Sequence, residues 1–235
     1  LAMPLLAPRL RVWDVTSAAR VDHFVANSTH VANRVQKYWR RTAEVVPPPV
    51  DVKAFAPVDV AERGDFYLWA GELAPYKRPD IAIAAFRELG LPLVIIGGPE
   101  KTQVRLAASA PRNITFLGKT DFQTLRSHMA HCKALVFPGE EDFGIVPVEV
   151  MASGRPVIAY GRGGALDTVV QGKTGLLYQE QSADGLIQAV RAFEASGMAD
   201  ADPAPLVAHA SRFDETAFRT GILKSLGTVL PRDWL

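Results

Sequence analysis

From Asp65 onward the sequence repeats one rhythm: a short apolar run, a turn, a helical pattern, and then the next apolar run. Strand-like runs fall at Phe66–Ala70, Leu93–Ile96, Ile114–Leu117, Ala134–Phe137, Pro156–Tyr160 and Gly175–Tyr178. Helical patterns fill the gaps at Pro79–Leu89, Lys101–Ala110, Gln123–His131, Ile145–Ser153 and Ala165–Gln171, and Ala183–Ala195 follows the last strand. Few folds satisfy such alternation. It argues for a parallel sheet whose two faces are both covered by helices. The expected class is α/β, a doubly wound parallel sheet of Rossmann-like type.

The first part of the chain has a different texture. Residues 1–20 read as irregular or helical, Val21–Ala26 as strand-like, Asn27-Ser28 as a cap, Thr29–Trp39 as a helix and Ala43–Val46 as another strand stopped by Pro47-Pro48-Pro49. That piece has too few elements to bury its own faces, so it reads as the tail of a preceding domain. Val50–Gly64 reads as a linker, Ser196–Pro205 as an Ala/Asp/Pro-rich loop, and Phe213–Leu230 as a final amphipathic helix. The chain begins at Leu1 rather than Met, and the natural N-terminus is expected further upstream.

Composition narrows the function classes. Net charge over 235 residues is +1, which argues against bulk nucleic-acid binding. A single cysteine, Cys132, cannot form an internal disulfide and fits a reducing compartment. No run approaches the length of a spanning helix. Charge is uneven, however. Residues 1–41 hold seven basic residues against two acids, a net +5, leaving nineteen basic and twenty-three acidic residues elsewhere, a net −4. With Trp13, Tyr38 and Trp39 nearby, this segment is a candidate for peripheral contact with an anionic membrane surface, the plain alternative being a solvated helix face.

Chemistry concentrates in Pro138–Ala159, PGEEDFGIVPVEVMASGRPVIA. An acidic, glycine-containing loop follows a strand, and a helix begins near Ile145. Carboxylates therefore stand at the C-terminal end of a strand, the edge where open α/β sheets bind ligands. Glu141 lies in the loop and Glu149 within the helix, seven residues intervening. Between them the amides of Gly144, Ile145 and Val146 open a helix N-terminus able to hold a phosphate. Sugar hydroxyls, phosphates and further hydroxyls, in that order, describe a nucleotide-sugar. Solvated acids at a helix start remain the alternative.

EDFGIVPVEVMASGRPVIA resembles the signature of the retaining glycosyltransferases of glycosyltransferase family 4, and VANSTHVANRV (25–35), GELAPYKRPDIAIAAF (71–86) and GGALDTVVQGKTGLLY (163–178) match the same family in order and spacing. The resemblance implies the C-terminal, donor-binding part of a GT-B fold: residues 1–58 as the tail of the N-terminal domain and linker, 59–212 as the nucleotide-sugar-binding domain, and 213–235 as a helix packing back towards the N-terminal domain. It implies retaining transfer of a hexose, with mannose the first guess, from a GDP- or UDP-sugar to a saccharide or polyprenyl-linked acceptor. It implies a cytoplasmic, or inner-membrane-peripheral, location. Residues 1–235 alone are not expected to transfer sugar, because the acceptor wall would lie upstream. Glu141 and Lys77 are the implied catalytic residues. Gly71, Phe143, Gly144, Ile145, Val146, Glu149 and Lys119 are the implied donor contacts, the base being read near Lys119. The sequence departs from the commonest family pattern at Glu72, where an arginine is usual; Glu72 is expected to point away or to pair with Arg78.

Other features weigh less. Gly161-Arg162-Gly163-Gly164 lacks the full dinucleotide fingerprint and reads either as a turn that lets backbone approach the site or as a structural turn. Asp200-Ala201-Asp202 and the His128, His131, Cys132 group are poor metal candidates, and no cofactor or metal is expected beyond the donor itself. A non-hydrolysing nucleotide-sugar epimerase and a nucleotide-binding module without chemistry stay open as alternatives.

Overall fold

A computed structural model describes residues 3–230, apart from the side chains of Leu5 and Arg105. Six parallel strands form the main sheet: β3 (Tyr67–Ala70), β4 (Leu93–Ile96), β5 (Ile114–Gly118), β6 (Leu135–Phe137), β7 (Val157–Tyr160) and β8 (Gly175–Tyr178). Their spatial order is β5-β4-β3-β6-β7-β8. The chain thus winds outward from β3 in one direction, returns, and winds out from β6 in the other. The carboxyl ends of β3 and β6 meet where the winding reverses, and a crevice forms there.

The strands read as continuous apolar runs because successive side chains enter different cores. Leu68 and Ala70 of β3, Leu135 and Phe137 of β6, and Val157 and Ala159 of β7 face a core shared with α6 (Ile145–Ala152) and α9 (Ala204–Ala210). Tyr67, Trp69, Val136 and Ile158 face the opposite core, filled by α3 (Pro79–Leu89) and α8 (Ala183–Ser196). Both faces are dry, as a doubly wound sheet requires. α4 (Glu100–Ala107), α5 (Phe122–His131) and the single turn α7 (Ala165–Thr168) complete the alternation.

Some helix starts carry side-chain caps: Asp121 accepts from Thr124 N, and Ser182 accepts from Gly185 N. α6 is among those that do not. Its N-cap is Gly144, at φ 87°, with no side-chain cap.

The N-terminal segment builds α1 (Met3–Ala18), α2 (Thr29–Trp39) and a two-stranded parallel sheet of β1 (Val25–Ala26) and β2 (Glu44–Val45). The expected strand over Val21–Ala26 shrinks to its last two residues. Ser28 caps α2 by accepting from Val31 N at 3.1 Å. Trp39 Nε1 donates to Asp14 Oδ2 at 2.8 Å, tying α1 to α2. Residues 196–205 depart from the loop reading, since a 3-10 turn at Met198–Asp200 leads into α9, whose start is held by Asp202 Oδ1 accepting from Ala204 N. The last helix, α10 (Glu215–Leu226), lies against the small sheet: Ser225 Oγ is 2.7 Å from His23 Nε2, and Gly221 sits on Val46. Val50 N donates to Phe213 O at 2.8 Å where the two crossings between the segments run side by side.

Candidate active site

At the reversal point the structure joins two side chains that stand 64 positions apart. Lys77 closes the 3-10 turn after β3, and Glu141 lies in the loop after β6. Lys77 Nζ donates to Glu141 Oε1 at 2.6 Å, with the two side chains only 14% and 17% exposed. A charge-assisted hydrogen bond is roughly twice as strong as a neutral one, and this one is held where little water competes for it. Lys77 reaches it by running over Gly71, where an added Cβ would touch the lysine chain at 3.4 Å.

Glycines bring the loops this close. A Cβ at Gly139 would stand 2.8 Å from Lys77 Cα, and one at Gly164 would stand 2.3 Å from Phe143 backbone atoms. Gly164 N also donates to Glu141 O at 2.8 Å. The 161–164 turn therefore packs directly on the acidic loop, and its glycines are there because backbone meets backbone. Beside Glu141 the uncapped end of α6 presents the amides of Gly144, Ile145 and Val146, which bear the positive end of the helix dipole. Glu149 follows within α6, between the fully buried Val148 and Val150. Its carboxyl has no hydrogen-bond or ion-pair partner among the described residues, and burial pushes its pKa above the ordinary glutamate value. Lys77 and Glu141 thus meet near the free N–H donors that open α6, and Glu149 stands further along the same helix.

Three of the singled-out side chains lie apart from these groups. The ring of Phe143 is 4% exposed and stacks edge-on against Phe213 at 5.6 Å, so its side chain packs in the core. Glu72 is exposed and does not pair with Arg78. That guanidinium is taken by Asp80 at 2.8 Å, the nearer carboxylate in sequence and in space. Lys119, beyond the end of the edge strand β5, is exposed and has no side-chain partner among the described residues. By strand spacing β5 lies about 10 Å from β3.

The poor metal candidates are otherwise engaged. His128 Nδ1 lies 2.8 Å from Thr124 O, and His131 Nδ1 lies 2.7 Å from Ser127 O. Cys132 is buried, its thiol pushed up to about 12. Among the described residues no group of three or more His, Cys, Asp or Glu could hold a metal ion, and no helix is long and apolar enough to cross a membrane.

Residues that sequence reasoning passed over surround the acidic loop. Arg34 Nη1 contacts Asp142 Oδ1 at 2.8 Å, His30 Nε2 stands 3.9 Å from Glu140 Oε1, and Thr29 N donates to Asp167 Oδ2 at 2.7 Å. The partners are more than 100 positions apart, so no local pattern could announce them.

Comparison with known proteins agrees with this geometry. The model of the glycosyl transferases group 1 family matches residues 53–207. A D-inositol 3-phosphate glycosyltransferase of Nocardia farcinica is 30% identical over 90% of this chain and 54% of its own length. A GDP-mannose-dependent alpha-(1-6)-phosphatidylinositol monomannoside mannosyltransferase of Mycobacterium tuberculosis is 29% identical over 80% of this chain and 63% of its own. The chain spans about half the length of the curated relatives it matches. Among solved structures, sucrose-phosphate synthase from Thermosynechococcus elongatus superposes with a TM-score of 0.79 at 20% identity, over 93% of this chain and 61% of that one. Anabaena HepE in complex with UDP-glucose gives 0.79 at 22% identity, over 93% and 67%. With its sheet matching the GT-B structures and its site at the reversal of that sheet, the chain belongs to the glycosyl transferases group 1 family.

Proposed function

We propose that this chain is the donor-binding part of a retaining glycosyltransferase of family 4, moving a hexose from a nucleotide-diphosphate sugar to a saccharide or lipid-linked acceptor. The observation that carries the reading is the shielded Lys77–Glu141 contact at the head of the uncapped α6. A diphosphate would take Lys77 and the Gly144–Val146 amides, each a donor to anionic oxygen. Glu141, released from Lys77, would accept hydrogen bonds from the sugar. Glu149, with no protein partner, would accept from the ribose hydroxyls. Backbone near Lys119 would face the base, and residues 1–58 would belong to the acceptor side.

In that arrangement the leaving diphosphate gains its stabilisation from groups already in place, and the role of Glu141 is to position the sugar and balance charge at its anomeric carbon. Transfer by residues 1–235 alone should be slow, because much of the rate depends on holding the acceptor oxygen in line, worth about 7–11 kcal/mol. The mannosyltransferase relative uses GDP-mannose and the HepE structure holds UDP-glucose, so both nucleotides belong in the test. Calorimetric titration with GDP, UDP, GDP-mannose and UDP-glucose, each with a chelator present, should show binding of one nucleotide series. Binding that vanishes with the chelator and returns with magnesium would overturn the assignment of the diphosphate to Lys77 and the α6 amides.

A further inference from the structure

The three consecutive acids of the loop after β6 do not share one task. Glu141 points to Lys77. Its two neighbours point the other way, to a single helix: Glu140 stands 3.9 Å from His30 and Asp142 stands 2.8 Å from Arg34, His30 and Arg34 lying one turn apart on α2. The irregular backbone of this loop lets successive side chains leave in different directions, which is how one loop serves both partners. A third tie closes the ring. The first free amide of α2, Thr29 N, donates to Asp167 Oδ2 on α7, and the turn that starts α7 supplies Gly164 N to the carbonyl of Glu141 itself.

We infer that α2 is a clasp on the acidic loop, with Arg34 and Asp142 acting as positioning residues for Glu141. The inference rests on the reading of Glu141 as the group that holds the donor sugar. Arg34 faces Asp142 and His30 faces Glu140, while the positive end of the α2 dipole faces Asp167, so three separate ties act together even though the Arg34–Asp142 pair is half-exposed. Holding the residue on each side of Glu141 fixes its backbone, and so fixes where its carboxylate stands when Lys77 turns to phosphate. The 1–41 segment thereby sets the grip on the sugar without touching the nucleotide.

The test compares Arg34→Asp, Asp142→Arg, the double exchange, and Arg34→Lys in the 235-residue chain. Two quantities are read: the ratio of nucleotide-sugar to nucleoside-diphosphate affinity by calorimetry (GDP-mannose with GDP, UDP-glucose with UDP), and amide hydrogen exchange at residues 140–144 without nucleotide. Arg34→Asp should lower the ratio about three- to fivefold and speed exchange in the loop, the size expected of one exposed pair plus the repulsion that replaces it. The double exchange should restore both, and Arg34→Lys should retain most of each. A ratio unchanged by Arg34→Asp, or not restored by the double exchange, would overturn the clasp. Failure of the parent chain to bind either nucleotide would instead overturn the underlying assignment of the site. The exchange measurement needs no nucleotide and would still decide whether α2 holds the loop: unchanged exchange in Arg34→Asp refutes it.

Discussion

Glu149→Gln should make the protein more stable and a poorer nucleotide binder at the same time. Glu149 lies in α6 between Val148 and Val150, each 0% exposed, and its carboxyl has no partner among the described residues. Burial raises its pKa above the ordinary 4.5. For a carboxyl raised by burial, the unfolded chain ionises first, so the native state loses stability as pH rises through the folded-state pKa; the stabilising side lies below 4.5. At pH 7 the native protein therefore carries an unfavourable, partly buried charge. Glutamine has the same shape and no charge. Removing the charge should therefore raise Tm at pH 7. The gain should shrink to nothing below pH 4.5, where both side chains are neutral. Binding moves the other way. A hydrogen bond to a charged acceptor contributes about 1.5–3 kcal/mol and a neutral one about 0.5–1.5, so the substitution should cost about tenfold in nucleoside-diphosphate affinity. The assays are thermal unfolding by circular dichroism at pH 4 and pH 7 and calorimetry at pH 7. A lower Tm at pH 7, or a Tm gain that persists at pH 4, would refute the buried-charge argument; unchanged affinity would refute the contact with ribose.

Lys77→Ala should weaken nucleoside-diphosphate binding tenfold or more, a charged hydrogen bond being worth about 1.5–3 kcal/mol, and added magnesium should not restore it; calorimetry with and without the metal checks this. Glu141→Gln should abolish the extra affinity that the sugar confers, so that nucleotide-sugar binds no more tightly than the free diphosphate in the same titration. Gly164→Ala should lower Tm, because its Cβ would press to 2.3 Å on Phe143 backbone atoms; forced overpacking costs about 1–3 kcal/mol, and thermal unfolding reads it.

The fold was legible because doubly buried strands are continuous apolar runs and the helices between them keep their period. The register of Ile158 against Leu176, or the β5-β4-β3-β6-β7-β8 order that brings β3 beside β6, is a tertiary matter that no run of residues displays. α9 hid in an Ala/Asp/Pro composition typical of loops, although Asp202 and Pro203 are plausible helix-start residues in retrospect. At the site, Glu141, Glu149 and Lys77 could be named from motif and position, but not that Lys77 and Glu141 bond to each other. That the Phe143 ring turns into the core against Phe213 is likewise a tertiary matter, since its place inside the motif does not say which way the ring points. Arg78 goes to Asp80 because its left-handed backbone at the start of α3 turns the guanidinium onto that helix's first turn, a conformation the sequence does not display. The clasp on α2 was invisible for another reason, its partners being separated by most of the chain.

The double crossing at Val50 and Phe213 has a mechanical consequence. The polypeptide passes once between the small sheet and the large one before Asp65 and passes back before α10, and the two passages are bonded to one another through Val50 N and Phe213 O. A panel hung by one pin can tilt and spin, but a panel hung by two pins set together swings about a single line. If α2 parts from the acidic loop, the chain's two paired passages favour a pivot near Val50 and Phe213 over a free separation of the two segments.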